Sequence, residues 1–305
     1  MVPARLSWPH ALLAIAVTAV WGTNFVVIRW ALDDLPPFTL AALRFTFAAL
    51  PAIAFVRRPA VPWRDLAAYG LLIGAGQFGL LFLAMDGRIS PGLASLVVQA
   101  QVFFTVGLAM LMSREALRGF QWAALALGAA GLVLIGLRTD GDATLPGLAL
   151  VLLAALCWAG GNLVARRHPQ ASMLAFVIWS SLFSAPPLIL LALVAEGPAA
   201  IAHGIRAADL WTWAAVAWQT VGNTLFGYTA WGYLLARHPA AVVSPMALLV
   251  PVFGMSASAL LLGEGMPAWK LLAALLVLAG LALNTLWPLL RPARPAGVAQ
   301  RSGAG

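Results

Sequence analysis

Ten apolar runs dominate this sequence, each about as long as the 20 residues that a helix needs to cross hydrocarbon. The connections between them are short and leave no room for a soluble domain. Because a bilayer offers no water to backbone amides, such runs must be helical. We therefore predict an all-α integral membrane protein whose ten transmembrane helices cover residues 10–32, 36–56, 64–86, 91–112, 119–137, 145–166, 171–194, 209–236, 240–262 and 268–290.

Composition excludes several other classes of protein. Hydrophobic residues make up 62% and charged residues 9% of the chain, against roughly 45–50% and 25% in soluble domains. The net charge of +8 is spread over short connections without interleaved aromatics, so no nucleic-acid partner is expected. A single cysteine, Cys157, excludes an intramolecular disulfide and a multi-cysteine metal site, and we expect no cofactor.

The distribution of basic residues predicts the orientation. Twelve of the 18 Lys and Arg residues lie in the termini and the even-numbered connections, and four lie in the odd-numbered connections. By the positive-inside rule, both termini face the cytoplasm. The Pro/Gly/Ala-rich segment 291–305 is expected to be a disordered cytoplasmic tail.

The two halves of the chain resemble each other. Residues 113–137 resemble residues 263–286, which pairs Glu115 with Glu264, and WGTNFVVIR (21–29) resembles WAGGNLVARR (158–167). Because five spans per half is an odd number, the halves insert with opposite topology. We predict two inverted five-helix repeats, at 1–140 (spans 1–5) and 141–290 (spans 6–10). Such repeats are typical of secondary transporters that bind substrate near the midplane and work by alternating access.

The order of several motifs resembles one known family. The motifs are WGTNFVVIR, LRFTFAALPA (43–52), PGLASLVVQAQVFFT (91–105), CWAGGN (157–162) and SPMALLVPVFGMSASALLLGE (244–264). In this order, across ten spans, they resemble the EamA family of the drug/metabolite transporter superfamily, and within it bacterial exporters of O-acetylserine and cysteine. The resemblance implies a multi-pass protein of the bacterial inner membrane that exports amino acids or related metabolites.

Two arginines fall inside predicted spans. Arg29 lies roughly 5 Å from the end of its span, so it can extend to the headgroups. Arg44 lies roughly 15 Å from the turn between spans 1 and 2, close to the midplane, where a charge is costly. Two interpretations stay open for Arg44: it binds a carboxylate of the substrate, or it is a structural residue that donates to helix carbonyls.

Helical spacing selects further candidates for substrate binding. Trp21 and Asn24 share a face of span 1, as their repeat mates Trp158 and Asn162 do in span 6. Span 8 carries Gln219, Asn223 and Trp231 on roughly one face. The candidate site residues are Trp21, Asn24, Arg44, Gln77, Gln99, Gln101, Trp158, Asn162, Trp179, Tyr228 and Trp231. Gln99 and Gln101 point about 200° apart, so at most one faces a cavity squarely. Hydrogen bonding between helices and core packing are the alternatives for each amide and each ring.

These features predict an exporter of amino acids or related metabolites. No Asp or Glu lies deep in a predicted span, which argues against proton-coupled export of cationic drugs. The alternatives are a permease for another small polar metabolite, such as a nucleoside or sugar derivative, or for a drug. An intramembrane enzyme is a remote alternative, because the chain carries no HExxH or GxSxG motif. The expected partners are a small-molecule substrate and the lipid bilayer, and ten spans can enclose a cavity in one chain, which favours a monomer.

Overall fold

The predicted spans are helical. The computed structural model of the chain describes residues 6–113, 118–138 and 141–290. Glu115 and the predicted tail 291–305 lie outside these residues. The ten membrane helices are α1 Trp8–Ala31, α2 Pro37–Ala49, α3 Trp63–Met85, α4 Pro91–Leu111, α5 Gly119–Gly136, α6 Leu145–Arg166, α7 Met173–Leu191, α8 210–237, α9 Ser244–Leu262 and α10 Ala268–Leu290.

Nine helices in the described part of the chain are long and apolar enough to cross a membrane, and α8 is not among them. Helix α8 is long enough, but Gln219, Thr220, Asn223 and Thr224 lower the hydropathy of its middle. All four side chains are buried in the protein, which spares them contact with lipid. The weak hydropathy of α8 therefore reflects a polar interior.

The helix of span 7 continues as a π-helix over Ala192–Glu196, close to its predicted end at residue 194, and a separate helix that we did not predict follows over Gly197–Ala207. The two are separated at Gly197, whose φ of +83° is a conformation that favours glycine. The Glu196 carboxylate accepts the backbone N–H groups of Phe38 and Thr39 and the Thr39 hydroxyl. This contact satisfies free donors at the first turn of α2 and joins the two halves of the chain.

The packing of the helices follows the internal repeat. Helix α1 packs against α8 and α9, and its repeat mate α6 packs against α3 and α4. The mates α2 and α7 contact each other, as do α5 and α10. At the α5–α10 contact, Gly131 faces the Ala273 carbonyl and Gly280 faces the Ala124 carbonyl, so the two helices approach closely. The halves are thus interleaved around a two-fold arrangement.

Two π-helical segments occupy equivalent places in the two halves. Residues Leu71–Gly79 of α3 and Trp218–Phe226 of α8 are each nine residues long, and each follows an eight-residue α-helical segment. A π-turn admits one more residue than an α-turn, and such segments are frequent at functional sites. The side chains around Arg44 come largely from these two segments.

Candidate functional site

Arg44 lies at the centre of the helix bundle and is 1% exposed. Its Nη2 atom donates to Asn223 Oδ1 at 2.9 Å and to Thr224 Oγ1 at 3.2 Å, and Nη1 donates to Gln219 Oε1 at 3.4 Å. One face of the guanidinium covers the Phe78 ring, with 3.7 Å between Cζ and the ring centroid. The two π-segments therefore hold Arg44 from both sides, because the guanidinium donates hydrogen bonds to α8 and covers the Phe78 ring of α3.

The π-conformation of α8 explains why three of its side chains reach one guanidinium. In an α-helix, residue i+5 points about 140° away from residue i, so Gln219 and Thr224 would lie on different faces. In the π-segment, the Thr224 hydroxyl donates to the Gln219 carbonyl at 2.9 Å, which places residues 219 and 224 above one another. The wider turn thus brings the side chains of Gln219, Asn223 and Thr224 to the Arg44 guanidinium.

The charge of Arg44 has no counter-ion among the described residues. None of the ion pairs in this part of the chain includes Arg44, and its Nε atom has no hydrogen-bond partner there. Asn24 Oδ1, Gln77 Oε1 and Gln219 Nε2 are likewise buried without a partner among the described residues. Because burying an uncompensated charge is costly, this arrangement suits a group that binds an anion.

Aromatic side chains lie beside the guanidinium. Trp21 Nε1 donates to the Asn223 carbonyl at 3.2 Å, and its ring centroid is 5.2 Å from that of Trp231 and 5.8 Å from that of Tyr228. Asn223 thus contacts both Trp21 and Arg44. The structure therefore brings four predicted site residues together: Trp21, Arg44, Tyr228 and Trp231.

A second group of predicted residues forms bonds between helices. Asn162 Nδ2 of α6 donates to Gln101 Oε1 of α4 at 2.9 Å, and Gln99 Nε2 donates to the Ala247 carbonyl of α9 at 3.4 Å. Both glutamines of α4 thus bond a neighbouring helix, which is the alternative that we gave for each amide. Trp158, one turn before Asn162 in α6, is partly buried.

Trp179 lies apart from both groups. Its Nε1 atom donates to the Val56 carbonyl at 2.9 Å, beyond the end of α2, and its ring contacts that of Trp63 at the start of α3. Sequence reasoning selected Trp179 as a candidate for substrate binding, and the structure does not place it with Arg44. That reasoning also did not select Phe78 and Thr224, because α-helical periodicity turns Thr224 away from Gln219 and an isolated phenylalanine suggests core packing.

A cluster of charged residues, the Lys270 cluster, joins the two halves at one end of the bundle. Lys270 is fully buried and donates to Glu264 Oε1 at 2.8 Å and to Asp142 Oδ2 at 2.9 Å. Glu264 also accepts from Ser258 of α9 and from Ser90 and the Gly92 backbone at the start of α4. Burial raises the pKa of the Glu264 carboxyl, but the hydrogen bonds from Lys270, Ser258, Ser90 and Gly92 outweigh burial and hold the pKa below its ordinary 4.5.

Cavities lie at both ends of the bundle. One of about 580 Å³ lies beside the Lys270 cluster and is lined by Arg29, Asp33 and Glu264 among others. Another of about 480 Å³ lies past the opposite end of α2, near Arg57 and Arg167. Within the described residues, no three His, Cys, Asp or Glu side chains are placed to share a metal ion.

Comparison with known proteins decides the family. The EamA-like transporter family matches the chain twice, over residues 8–137 and 145–286, which is once in each half. The chain belongs to the EamA-like transporter family. It is a multi-pass membrane transporter and not an enzyme, and the fold prediction of two repeats is confirmed.

Similar proteins share nearly the whole length of this EamA-family chain. A probable amino-acid metabolite efflux pump of Salmonella typhimurium is 41% identical over 285 residues, which cover 92% of this chain and 95% of the relative. The uncharacterized inner membrane transporter YedA of Escherichia coli is 25% identical, with 92% of each chain covered. A solved crystal structure superposes with a TM-score of 0.62 at 20% identity, covering 93% of this chain and 99% of the other, and so shares the fold.

Proposed function

We propose that this transporter exports amino-acid metabolites across the bacterial inner membrane and binds the substrate carboxylate at Arg44. The observation that carries the proposal is the buried guanidinium without a counter-ion among the described residues. A carboxylate would supply the missing charge and accept from the unpartnered Nε–H. The name of the Salmonella relative supports amino-acid metabolites as the substrate class and efflux as the direction.

The surroundings of Arg44 suit a small zwitterion. The rings of Trp21, Tyr228 and Trp231 offer faces to an ammonium or an apolar side chain, and no carboxylate of the described residues competes for the guanidinium. Arg44 lies midway between the cavities at the two ends of α2. Alternating access would open this centre first to one cavity and then to the other.

Counterflow in proteoliposomes tests the proposal. The panel contains serine, cysteine, threonine, leucine and the methyl ester of serine, with and without a pH gradient. Arg44→Gln should raise the half-saturating serine concentration roughly tenfold to a hundredfold, since a hydrogen bond to a charged group contributes about 1.5–3 kcal/mol. Arg206→Gln removes an exposed charge far from the centre and should leave transport unchanged.

The methyl ester makes the test specific. It lacks the carboxylate, so wild type should prefer serine to the ester, and Arg44→Gln should lose that preference. If folded Arg44→Gln carries serine like wild type, Arg44 is not the carboxylate site. If no amino acid moves while a nucleoside or sugar derivative does, the substrate class is wrong although the family assignment stands.

We also propose that both termini face the cytoplasm, that residues 140 and 141 divide the repeats, and that one chain forms the transport unit. Arg57, Arg58 and Arg167 lie in the α2–α3 and α6–α7 connections, and Arg64 and Arg166 lie at the adjoining helix ends, so the positive-inside rule places this end of the bundle in the cytoplasm. A C-terminal green fluorescent protein should fluoresce, and a C-terminal alkaline phosphatase should be inactive. The reverse result would invert the orientation, and a dimer mass in native mass spectrometry would contradict the monomer.

A further inference from the structure

A basic pocket lies where the α2–α3 and α6–α7 connections meet. It measures about 480 Å³, and its lining includes Arg57 from the first half of the chain and Arg167, His168, Gln170 and Ser172 from the second. It lies far along α2 from the Lys270 cluster and contains none of the residues around Arg44. Its volume falls in the range of small-molecule sites.

The charge of this basic pocket is positive. No Asp or Glu lines it, and within the described residues neither Arg57 nor Arg167 forms an ion pair. Asp65 lies nearby and is 8% exposed. Its Oδ2 atom is 2.7 Å from His168 Nε2, so this carboxylate already has a partner other than the two arginines. Two exposed guanidiniums from different halves are therefore free to bind one anion.

Neighbouring aromatic residues place the basic pocket at the depth of lipid headgroups. Trp63 and Trp179 pack against each other beside the segment that carries Arg57, and Trp179 holds this segment through the Val56 carbonyl. Tryptophans concentrate at the membrane–water interface. Phe55, two residues before Arg57, is 88% exposed, which suits contact with acyl chains. The exposed Phe55 thus offers an apolar surface two residues along the chain from Arg57 of the pocket.

We propose that the basic pocket binds the phosphodiester headgroup of an anionic phospholipid. The phosphate lies between Arg57 and Arg167, and the acyl chains follow the surface at Phe55. Helix α7 starts directly after Ser172, so the positive end of its dipole lies at the pocket and favours an anion there. Basic pockets between membrane helices recognise anionic headgroups by this chemistry. Because the arginines come from the two halves, the lipid bridges them.

Native mass spectrometry of the purified full chain tests the site. Phosphatidylglycerol is titrated against phosphatidylcholine with the same acyl chains. The variant Arg57→Gln/Arg167→Gln is compared with Arg138→Gln/Arg206→Gln, which removes two exposed positive charges elsewhere. Each arginine near an anionic lipid raises the binding affinity roughly fivefold. We therefore expect the pocket variant to bind phosphatidylglycerol about thirtyfold more weakly than wild type, and the control variant to bind it with the affinity of wild type. The single variants should each lose about fivefold and guard against a misfolded double variant.

Thermal unfolding gives a second measurement. Phosphatidylglycerol should raise the midpoint of wild type and the control variant more than that of the pocket variant, because a ligand stabilises the state that binds it. Equal binding by pocket and control variants, or equal binding of the two lipids by wild type, would overturn the proposal. Displacement of phosphatidylglycerol by excess inorganic phosphate would assign the pocket to a soluble anion instead.

Discussion

Replacing Lys270 should destabilise the protein far more than breaking an exposed ion pair. The Lys270 side chain is 0% exposed and forms ion pairs with Asp142 and Glu264, whose side chains are 35% and 6% exposed. In Lys270→Met, Glu264 stays buried and loses its cation. Removing one partner of a buried pair costs about 3–5 kcal/mol. Arg29 and Asp33 form an exposed pair, and Arg29→Gln should cost only about 0–1 kcal/mol.

The free energy of unfolding can be compared by denaturation in mixed micelles. The double variant Glu264→Gln/Lys270→Met should recover part of the loss, because no buried charge is left without a partner. If Lys270→Met is no less stable than Arg29→Gln, the buried pairs do not hold this end of the bundle together, and the reasoning fails.

The stability that Glu264 contributes should depend on pH in one direction. Its pKa in the folded protein lies below the ordinary 4.5, so the folded state favours the ionised form. The contribution is complete above pH 4.5 and is lost as pH falls through the lower folded value. Because Asp142 also pairs with Lys270, the contribution of Glu264 is isolated by comparing wild type with Glu264→Gln. In this variant the loss of stability in acid should be smaller than in wild type.

Three further experiments test the packing. Gly22→Ala should lower the free energy of unfolding by about 1–3 kcal/mol, because the added Cβ would lie 2.5 Å from the Val250 carbonyl oxygen. Gly107 has open space around it, so Gly107→Ala should be neutral or stabilising in the same denaturation assay. A double-mutant cycle of Asn162→Ala and Gln101→Ala should give a coupling energy of about 0.6 kcal/mol, and additive effects would contradict their hydrogen bond. Gly197→Ala should lower the free energy of unfolding by about 1–3 kcal/mol, because a backbone with φ +83° and ψ 155° is strained for alanine. An unchanged unfolding midpoint would refute this.

The sequence alone predicts much of the architecture. Length and hydropathy locate nine helices directly, because the energy of burying apolar residues in lipid is a local property of each run. Self-similarity of the halves, such as residues 113–137 with residues 263–286, predicts the repeat, and the family matches once in each half. The helix over Gly197–Ala207 was not predicted, since the turn at Gly197 interrupts the chain without a marked change in composition.

The candidate site was partly predictable. Depth along span 2 identified Arg44, because charge at the midplane is costly wherever it occurs. Its partners on α8 could not be assigned, since hydrogen bonds across 175 or more residues of sequence separation depend on how the helices pack. The π-turn that aligns Gln219 with Thr224 also changes the periodicity from which faces are read.

Local chemistry therefore determined which segments enter the membrane, how often the pattern repeats and which charge needs an explanation. The tertiary structure alone decided what that charge contacts, that Trp179 donates to the Val56 carbonyl, and that Lys270 is buried between two carboxylates. The physical reason is range: transfer to lipid acts on each segment by itself, whereas hydrogen bonds and ion pairs act over about 3 Å and exist only after distant helices have come together.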